Sequence, residues 1–227
     1  MKRPTVLLFD IDGTLVSTAG AGRRAMTAAF RDAVGSDPCD FPFGGMTDRA
    51  IAREGLRRAS RASDERAIDD LLARYVVHLE LEAANASSFR VFAGIREALD
   101  AAEHADGFAI GLGTGNIRRG AELKLTPVAL FHRFAFGGFG CDHEDRAELV
   151  RVGAARGASI LGASPSDCRV VVIGDTPRDV AAARAIGAQC LGVATGGYAI
   201  ETLQACGATF AFRDLAAPGA LTALLGG

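Results

Sequence analysis

The chain has no apolar run approaching the ~20 residues that a helix needs to cross a bilayer. It also has no surplus of positive charge. The 25 basic and 27 acidic residues leave a net charge of −2, which offers no basic face to nucleic acid. Lys2 and Arg3 open the chain, but Asp10 interrupts the apolar stretch behind them too early for a signal peptide. Cys-x-x-Cys pairs are missing. The five cysteines (Cys39, Cys141, Cys168, Cys190, Cys206) are odd in number and widely spaced. That pattern predicts small buried side chains in a reducing compartment rather than disulfides or zinc ligands. Internal repeats and low-complexity tracts are absent as well. Together these absences predict a soluble cytoplasmic protein with neither a membrane nor a nucleic-acid partner. Lysine is the last scarcity: among the 25 basic residues only Lys2 and Lys124 are lysines. A chain so biased towards arginine keeps an internal lysine by chance or because the rigid guanidinium fork does not serve there.

What is present is a rhythm. With 227 residues, 49% of them apolar, the chain can form one large domain or a core carrying a smaller insertion. Strand-like runs lie at 5–9, 108–112, 134–136, 169–173, 190–194 and 209–212, with helical patterns at 95–105, 117–125, 145–156, 177–186 and 200–205. Strands alternating with helices predict an α/β fold, a doubly wound parallel sheet covered on both faces. Residues 16–88 break this rhythm with helical segments at 22–34, 47–60 and 64–84 and no convincing strand. The expected organisation is a core of 1–15 and 89–227 with a helical cap of 16–88, placed as a lid beside the first strand's end.

That end reads Asp10-Ile-Asp12-Gly-Thr-Leu15. Alternation along an extended chain turns Asp10 and Asp12 to one side. Two such carboxylates repel unless a cation neutralises them or one is protonated. A hard, oxygen-seeking ion such as Mg²⁺ answers that need; a plain Asp-Gly turn is the simpler alternative. In doubly wound sheets ligands collect beyond the carboxyl ends of the strands. The strand through Leu112 delivers Gly113-Thr114-Gly115-Asn116 there, and the strand through Ile173 delivers Gly174-Asp175-Thr-Pro-Arg-Asp179. Thr114 and backbone N–H groups at a helix start suit a phosphate, and Asp175 suits a metal. Taken singly, Thr114, Asn116, Asp175 and Asp179 could be ordinary helix caps. Taken together, three strand ends with carboxylates and a hydroxyl form a coherent phosphate–metal site.

These motifs resemble those of the haloacid dehalogenase-like (HAD) hydrolase superfamily, and more narrowly its phosphoglycolate phosphatase-like members with a helical cap. Asp10-Ile-Asp12-Gly-Thr-Leu15 resembles the first family motif, Leu112-Gly-Thr114-Gly-Asn116 the second and Gly174-Asp175-Thr-Pro-Arg-Asp179 the fourth. The resemblance implies Asp10 as nucleophile, forming an aspartyl-phosphate, and Asp12 as general acid and then base. It implies Mg²⁺ held by the Asp10 side chain, the Asp12 backbone carbonyl and Asp175. Thr114, with Gly115 and Asn116, would bind the phosphoryl group. The third motif departs from the commonest pattern: the stretch before the fourth motif, Asp142-His-Glu-Asp-Arg146, has no lysine. Lys124 is the expected phosphate-binding base, with Arg146 as the substitute.

The expected activity is a Mg²⁺-dependent phosphatase acting on a small phosphorylated metabolite. A phosphomutase of the same superfamily (beta-phosphoglucomutase-like) is the alternative, and a non-catalytic phospho-accepting signalling domain a more distant one. The latter would have ~120 residues, no acid two places after the nucleophile and no lid. In the loop Phe43-Gly-Gly-Met-Thr-Asp-Arg49, Arg49 is a candidate for an anionic end of the substrate, although the same loop reads equally as a helix start.

Overall fold

Thr5–Phe9 (β1) is buried along its whole length and stands inside a six-stranded parallel sheet. Its neighbours are Phe108–Thr114 (β4) and Arg169–Gly174 (β6), and Phe136–Phe139 (β5), Gln189–Val193 (β7) and Phe210–Phe212 (β8) extend the sheet in the order β5-β4-β1-β6-β7-β8. This is a computed structural model describing residues 3–226; Met1, Lys2 and Gly227 lie outside the described residues. The register sets which residues gather at the sheet's carboxyl edge. Phe9 is level with both Leu112 and Ile173, so the residues after them leave the sheet along one edge within a few residues of each other.

Alternation along β1 builds two cores. Leu7 and Phe9 face Ile95–Glu103 (α4), Arg118–Leu125 (α5) and a C-terminal helix, Ala220–Leu225 (α9). Val6 and Leu8 face Arg146–Ile160 (α6) and Pro177–Ala185 (α7), with Ile200–Ala205 (α8) beyond them. The sheet is thus apolar on both faces, as a parallel sheet sandwiched by helices requires. Helix α9 escapes the sequence pattern because only Ala220 and Leu224 of its six residues are buried.

Residues 16–88 hold the helices Ala21–Val34 (α1), Asp48–Arg58 (α2) and Glu65–Ala84 (α3). They close around an apolar cluster that includes Met26, Phe30, Ile68, Leu71 and Leu79 and that Phe89, Ile117, Leu123 and Val128 of the core also join. The stretch is not free of strand, contrary to expectation: Val16–Ser17 (β2) pairs antiparallel with Arg90–Val91 (β3) at its root. The two crossings run side by side and satisfy each other's backbone groups. A two-residue strand carries too little pattern to be seen in sequence. All five cysteines are free, but the expectation of uniform burial fails. Cys39, Cys168 and Cys190 are buried, while Cys141 is exposed and Cys206 half-buried in connecting segments. No described helix is long and apolar enough to cross a membrane.

Helix α6 lies directly on β5 at a glycine. A methyl group at Gly138 would stand 1.8 Å from the Leu149 carbonyl oxygen and 3.0 Å from the Gly153 nitrogen, both backbone atoms that cannot swing away. Gly138→Ala should therefore lower the unfolding free energy by about 3 kcal/mol, as overpacking does. Denaturant titration tests this, and a loss below about 0.5 kcal/mol would show that the contact is looser than described.

Candidate active site

Asp10 and Asp12 are carried by a turn locked to the sheet. The Asp10 N–H still donates to the Ile173 carbonyl (2.9 Å), and the N–H groups of Leu15 and Val16 return to the Ile11 carbonyl. Buried Ile11 and Leu15 anchor the turn in the core. The two carboxylates enter opposite surroundings.

Asp10 is 2.9 Å from a guanidinium nitrogen of buried Arg146. Arg146 also donates twice to Asp179 Oδ1, at 2.9 and 2.5 Å. The other Asp179 oxygen accepts from the backbone N–H and hydroxyl of Thr176, closing a capping box at the start of α7. One oxygen from each of Asp10, Asp175 and Asp179 lies within 4.8 Å of the others. Asp175 accepts from the Thr14 hydroxyl at 3.0 Å. Burial raises the Asp10 carboxyl most, Arg146 opposes it and the charges of Asp179 and Asp12 add to the rise, leaving it at about 6. Asp175 is pushed up to about 8, by burial first and then by the charges of Asp10 and Asp179. This half of the site holds more negative charge than its own arginine neutralises.

Asp12 is balanced differently. Although 43% of its side chain is open to the cavity, it is surrounded by protein. Lys124 Nζ donates to it at 2.6 Å and Asn116 Nδ2 at 2.9 Å. Burial favours its neutral form, but the Lys124 charge and the hydrogen bonds from Lys124, Asn116 and Thr18 outweigh that and hold it below the usual carboxylate range. Lys124 donates also to Asn116 Oδ1 at 2.6 Å, and Asp12 and the acids and hydroxyl around it keep it protonated despite its burial. The structure therefore brings both candidate bases to the site, Lys124 against Asp12 and Arg146 against Asp10.

A cavity of about 420 Å³ opens between the sheet edge and the helical insertion. Asp10, Asp12, Gly115, Asn116, Lys124 and Asp175 line it. Thr114 does not: it is fully buried, and its hydroxyl oxygen accepts from the N–H and side-chain amide of Asn116. Arg49 requires a correction, because it is absent from the lining. Its guanidinium is held by Glu65 and by Asp69, the latter at 2.6 Å, within the insertion. Thr47 caps α2 by accepting from the Ala50 N–H, so the 43–49 loop is the helix start that the sequence also allowed, and it turns Arg49 onto the helix surface.

Asp48, from the same loop, which the sequence offers only as a helix cap, is nearly fully buried. Its N–H donates to the Gly115 carbonyl at 2.8 Å, and its carboxylate accepts from the Ile117 N–H at 2.9 Å. The insertion thereby grips both ends of the Gly115-Asn116 loop. The contact is so close that a methyl group at Gly115 would lie 2.4 Å from the Met46 carbonyl oxygen. Arg23 and Tyr75 are further lining residues that the sequence reading missed. Their side chains project from helices whose periodicity also admits a plain core or surface position.

A family model described as haloacid dehalogenase-like hydrolase matches residues 4–187. The chain belongs to this family. No curated protein matches it. Among solved structures it is similar to a hydrolase from Pseudomonas syringae (22% identity, 93% of this chain and 94% of that one, TM-score 0.70). It is similar also to CbbY from Rhodobacter sphaeroides in complex with phosphate (17%, 98% and 99%, 0.72) and to a predicted phosphoglycolate phosphatase from Haemophilus somnus (16%, 95% and 96%, 0.65). At these identities the likeness concerns the fold, which these structures share over nearly the whole of this chain.

The raised Asp175 carboxyl has a thermodynamic consequence. The folded, metal-free protein keeps a proton on Asp175 up to about pH 8, whereas the unfolded chain releases it near the ordinary ~3.9. The folded state thus binds more protons across this window, and its stability falls as pH rises from about 4 to 8, by up to about 1.4 kcal/mol per pH unit for one proton. Denaturant midpoints of the metal-free protein at pH 5, 6.5 and 8 test this. Asp175→Asn should flatten the slope; an unchanged slope would mean that Asp175 is ionised throughout.

Proposed function

We propose that this hydrolase is a Mg²⁺-dependent phosphatase that cleaves a small phosphomonoester through an aspartyl-phosphate on Asp10, with residues 16–88 as its lid. The observation that carries the reading is the unequal surroundings of Asp10 and Asp12 on one buried turn. Asp10 faces uncompensated negative charge, and Asp12 is gripped by a lysine that a phosphate would also seek. The resemblance in fold to CbbY in complex with phosphate supports the choice of phosphoryl chemistry.

The donor set fits a divalent cation. Asp10 and Asp175 are buried carboxylates whose proton affinity is raised first by burial and then by neighbouring acids, Asp179 and Asp12 for the one and Asp10 and Asp179 for the other, a strain that a hard cation relieves. Both oxygens of Asp179 are already engaged by Thr176 and Arg146, so Asp10, Asp175 and the Asp12 backbone carbonyl are the groups to hold Mg²⁺. When bound, the ion supplies positive charge that lets a dianionic ester approach a carboxylate. Arg146 orients the Asp10 carboxylate for in-line attack on phosphorus and keeps Asp179 in place. In the loop clamped by Asp48, the Gly115 N–H is the one left for the phosphoryl oxygens, since that of Asn116 stays on Thr114.

With Lys124 on it, Asp12 is ionised and has no proton to give. An arriving phosphate dianion competes for Lys124, the contact holding Asp12 ionised weakens, and Asp12 can then take a proton. It donates this proton to the leaving oxygen and, as carboxylate again, draws a proton from the water that attacks the aspartyl-phosphate.

A phosphate-release screen over metabolite phosphomonoesters, with and without Mg²⁺, tests the reading. Asp10→Asn should abolish release, by about a thousandfold or more, and Asp12→Asn should lower kcat by about 10²–10⁴. Full activity in Asp10→Asn would overturn the mechanism. An isomerised ester in place of free phosphate would assign a mutase.

A further inference from the structure

Three cations line the cavity, and two are committed to its chemistry: Lys124 to Asp12, and Arg146 to Asp10 and Asp179. The third, Arg23, comes from α1 in the insertion. Its terminal nitrogens donate to the Cys39 carbonyl at 2.8 Å and the Phe41 carbonyl at 2.9 Å. Its guanidinium carbon lies 3.9 Å from the centre of the Phe43 ring. Two neutral carbonyls and a ring fix the plane of the fork, yet no carboxylate balances its charge. Among the described residues Arg23 forms no ion pair, whereas Arg24 and Arg31 on the same helix meet Glu82 and Asp37. Arg49 and Arg53, on the next helix, are each bridged by two acids. Beside Arg23 the insertion lines the cavity with Met26, Phe43 and Ile51.

Arg23 is exposed at the cavity wall, and its carbonyl partners fix the guanidinium without supplying a countercharge. Its Nε–H and the second hydrogen on each terminal nitrogen remain without a partner among the described residues. A pre-oriented fork of this kind matches a carboxylate or a phosphate. We infer that Arg23 receives a second anionic group of the substrate. The substrate is then a phosphomonoester bearing a carboxylate or a second phosphate at the end away from Asp10. This rests on the phosphatase reading above and assigns to Arg23 the recognition that Arg49, bound up on the surface of α2, does not provide.

Three series of phosphate esters, two to five carbons long, test it: ω-carboxyalkyl phosphates, alkanediol bisphosphates and ω-hydroxyalkyl phosphates. At the best chain length, the wild-type kcat/KM for one anionic series should exceed that for the hydroxyl series by tenfold or more, chiefly through KM. Which series wins distinguishes carboxylate from phosphate. In Arg23→Gln this ratio should fall to near one. Should Arg23→Gln lose the fold through the carbonyls it releases, Arg23→Lys reads the same ratio and should lower it without abolishing it. Equal kcat/KM for all three series in the wild type overturns the inference, as does a ratio unaltered by either substitution. An equal loss on every series in Arg23→Gln, with the ratio kept, would make Arg23 a support of the 39–43 loop only. No phosphate from any series, nor from p-nitrophenyl phosphate, would instead overturn the phosphatase reading and this inference with it.

Discussion

Keeping like charges tolerable at one edge of a buried sheet is the constraint on which the rest of the structure depends. The register places Asp10 and Asp175 on neighbouring strand ends, and the capping box of α7 brings Asp179 beside them. Water cannot screen these groups, so their repulsion is several times stronger than it would be on the surface. The chain answers with one buried arginine where balance needs more positive charge. The deficit adds to burial in raising the Asp175 carboxyl, and it makes the cluster a candidate to hold a cation. Across the same turn Lys124 overcompensates, holding Asp12 ionised. A turn of three residues thereby separates two carboxylates of opposite surroundings, as the proposed division into nucleophile and acid–base group requires.

The helical insertion takes part in that balance rather than merely roofing it. Asp48 brings a carboxylate to the Lys124 side and is itself raised to about 6 by burial, with Lys124 opposing. Its hydrogen bonds clamp the Gly115-Asn116 loop, which lines the cavity, and Gly115 permits the approach because any side chain there would strike Met46. Thr47 and Arg53 of the insertion meet Glu144 of the core, two positions before Arg146. Seating of the insertion and integrity of the two charged clusters are therefore mechanically connected.

Much of this was legible in the sequence because it is local. Five-residue apolar strands ending in Asp10-x-Asp12, Thr114 and Asp175 announce both a parallel sheet and its functional edge, and Lys124 stood out through the scarcity of lysine. What stayed hidden depends on tertiary placement. Arg49 and Arg23 look alike in sequence; only the packing of α2 on α3 commits Arg49 to Glu65 and Asp69 and leaves Arg23 unmatched. The choice between Lys124 and Arg146 was posed as exclusive because sequence spacing carries no angle of approach, and the fold admits one from each side. Asp48 read as a helix cap, which is Thr47's work, so its grip on the Gly115 loop had no local signature. Helix α9 and the β2–β3 pair are too short to imprint a period.

The central claim is the division of labour within Asp10-Ile-Asp12, and covalent trapping tests it most directly. An acyl phosphate, unlike a free carboxylate, is reduced by borohydride, which converts a phosphorylated aspartate into homoserine. Rapid quenching of the turning-over enzyme into borohydride, followed by peptide mass spectrometry, should find homoserine at position 10 and unmodified aspartate at position 12. Homoserine at position 12, or none at either position while phosphate is released at the full rate, would contradict the account.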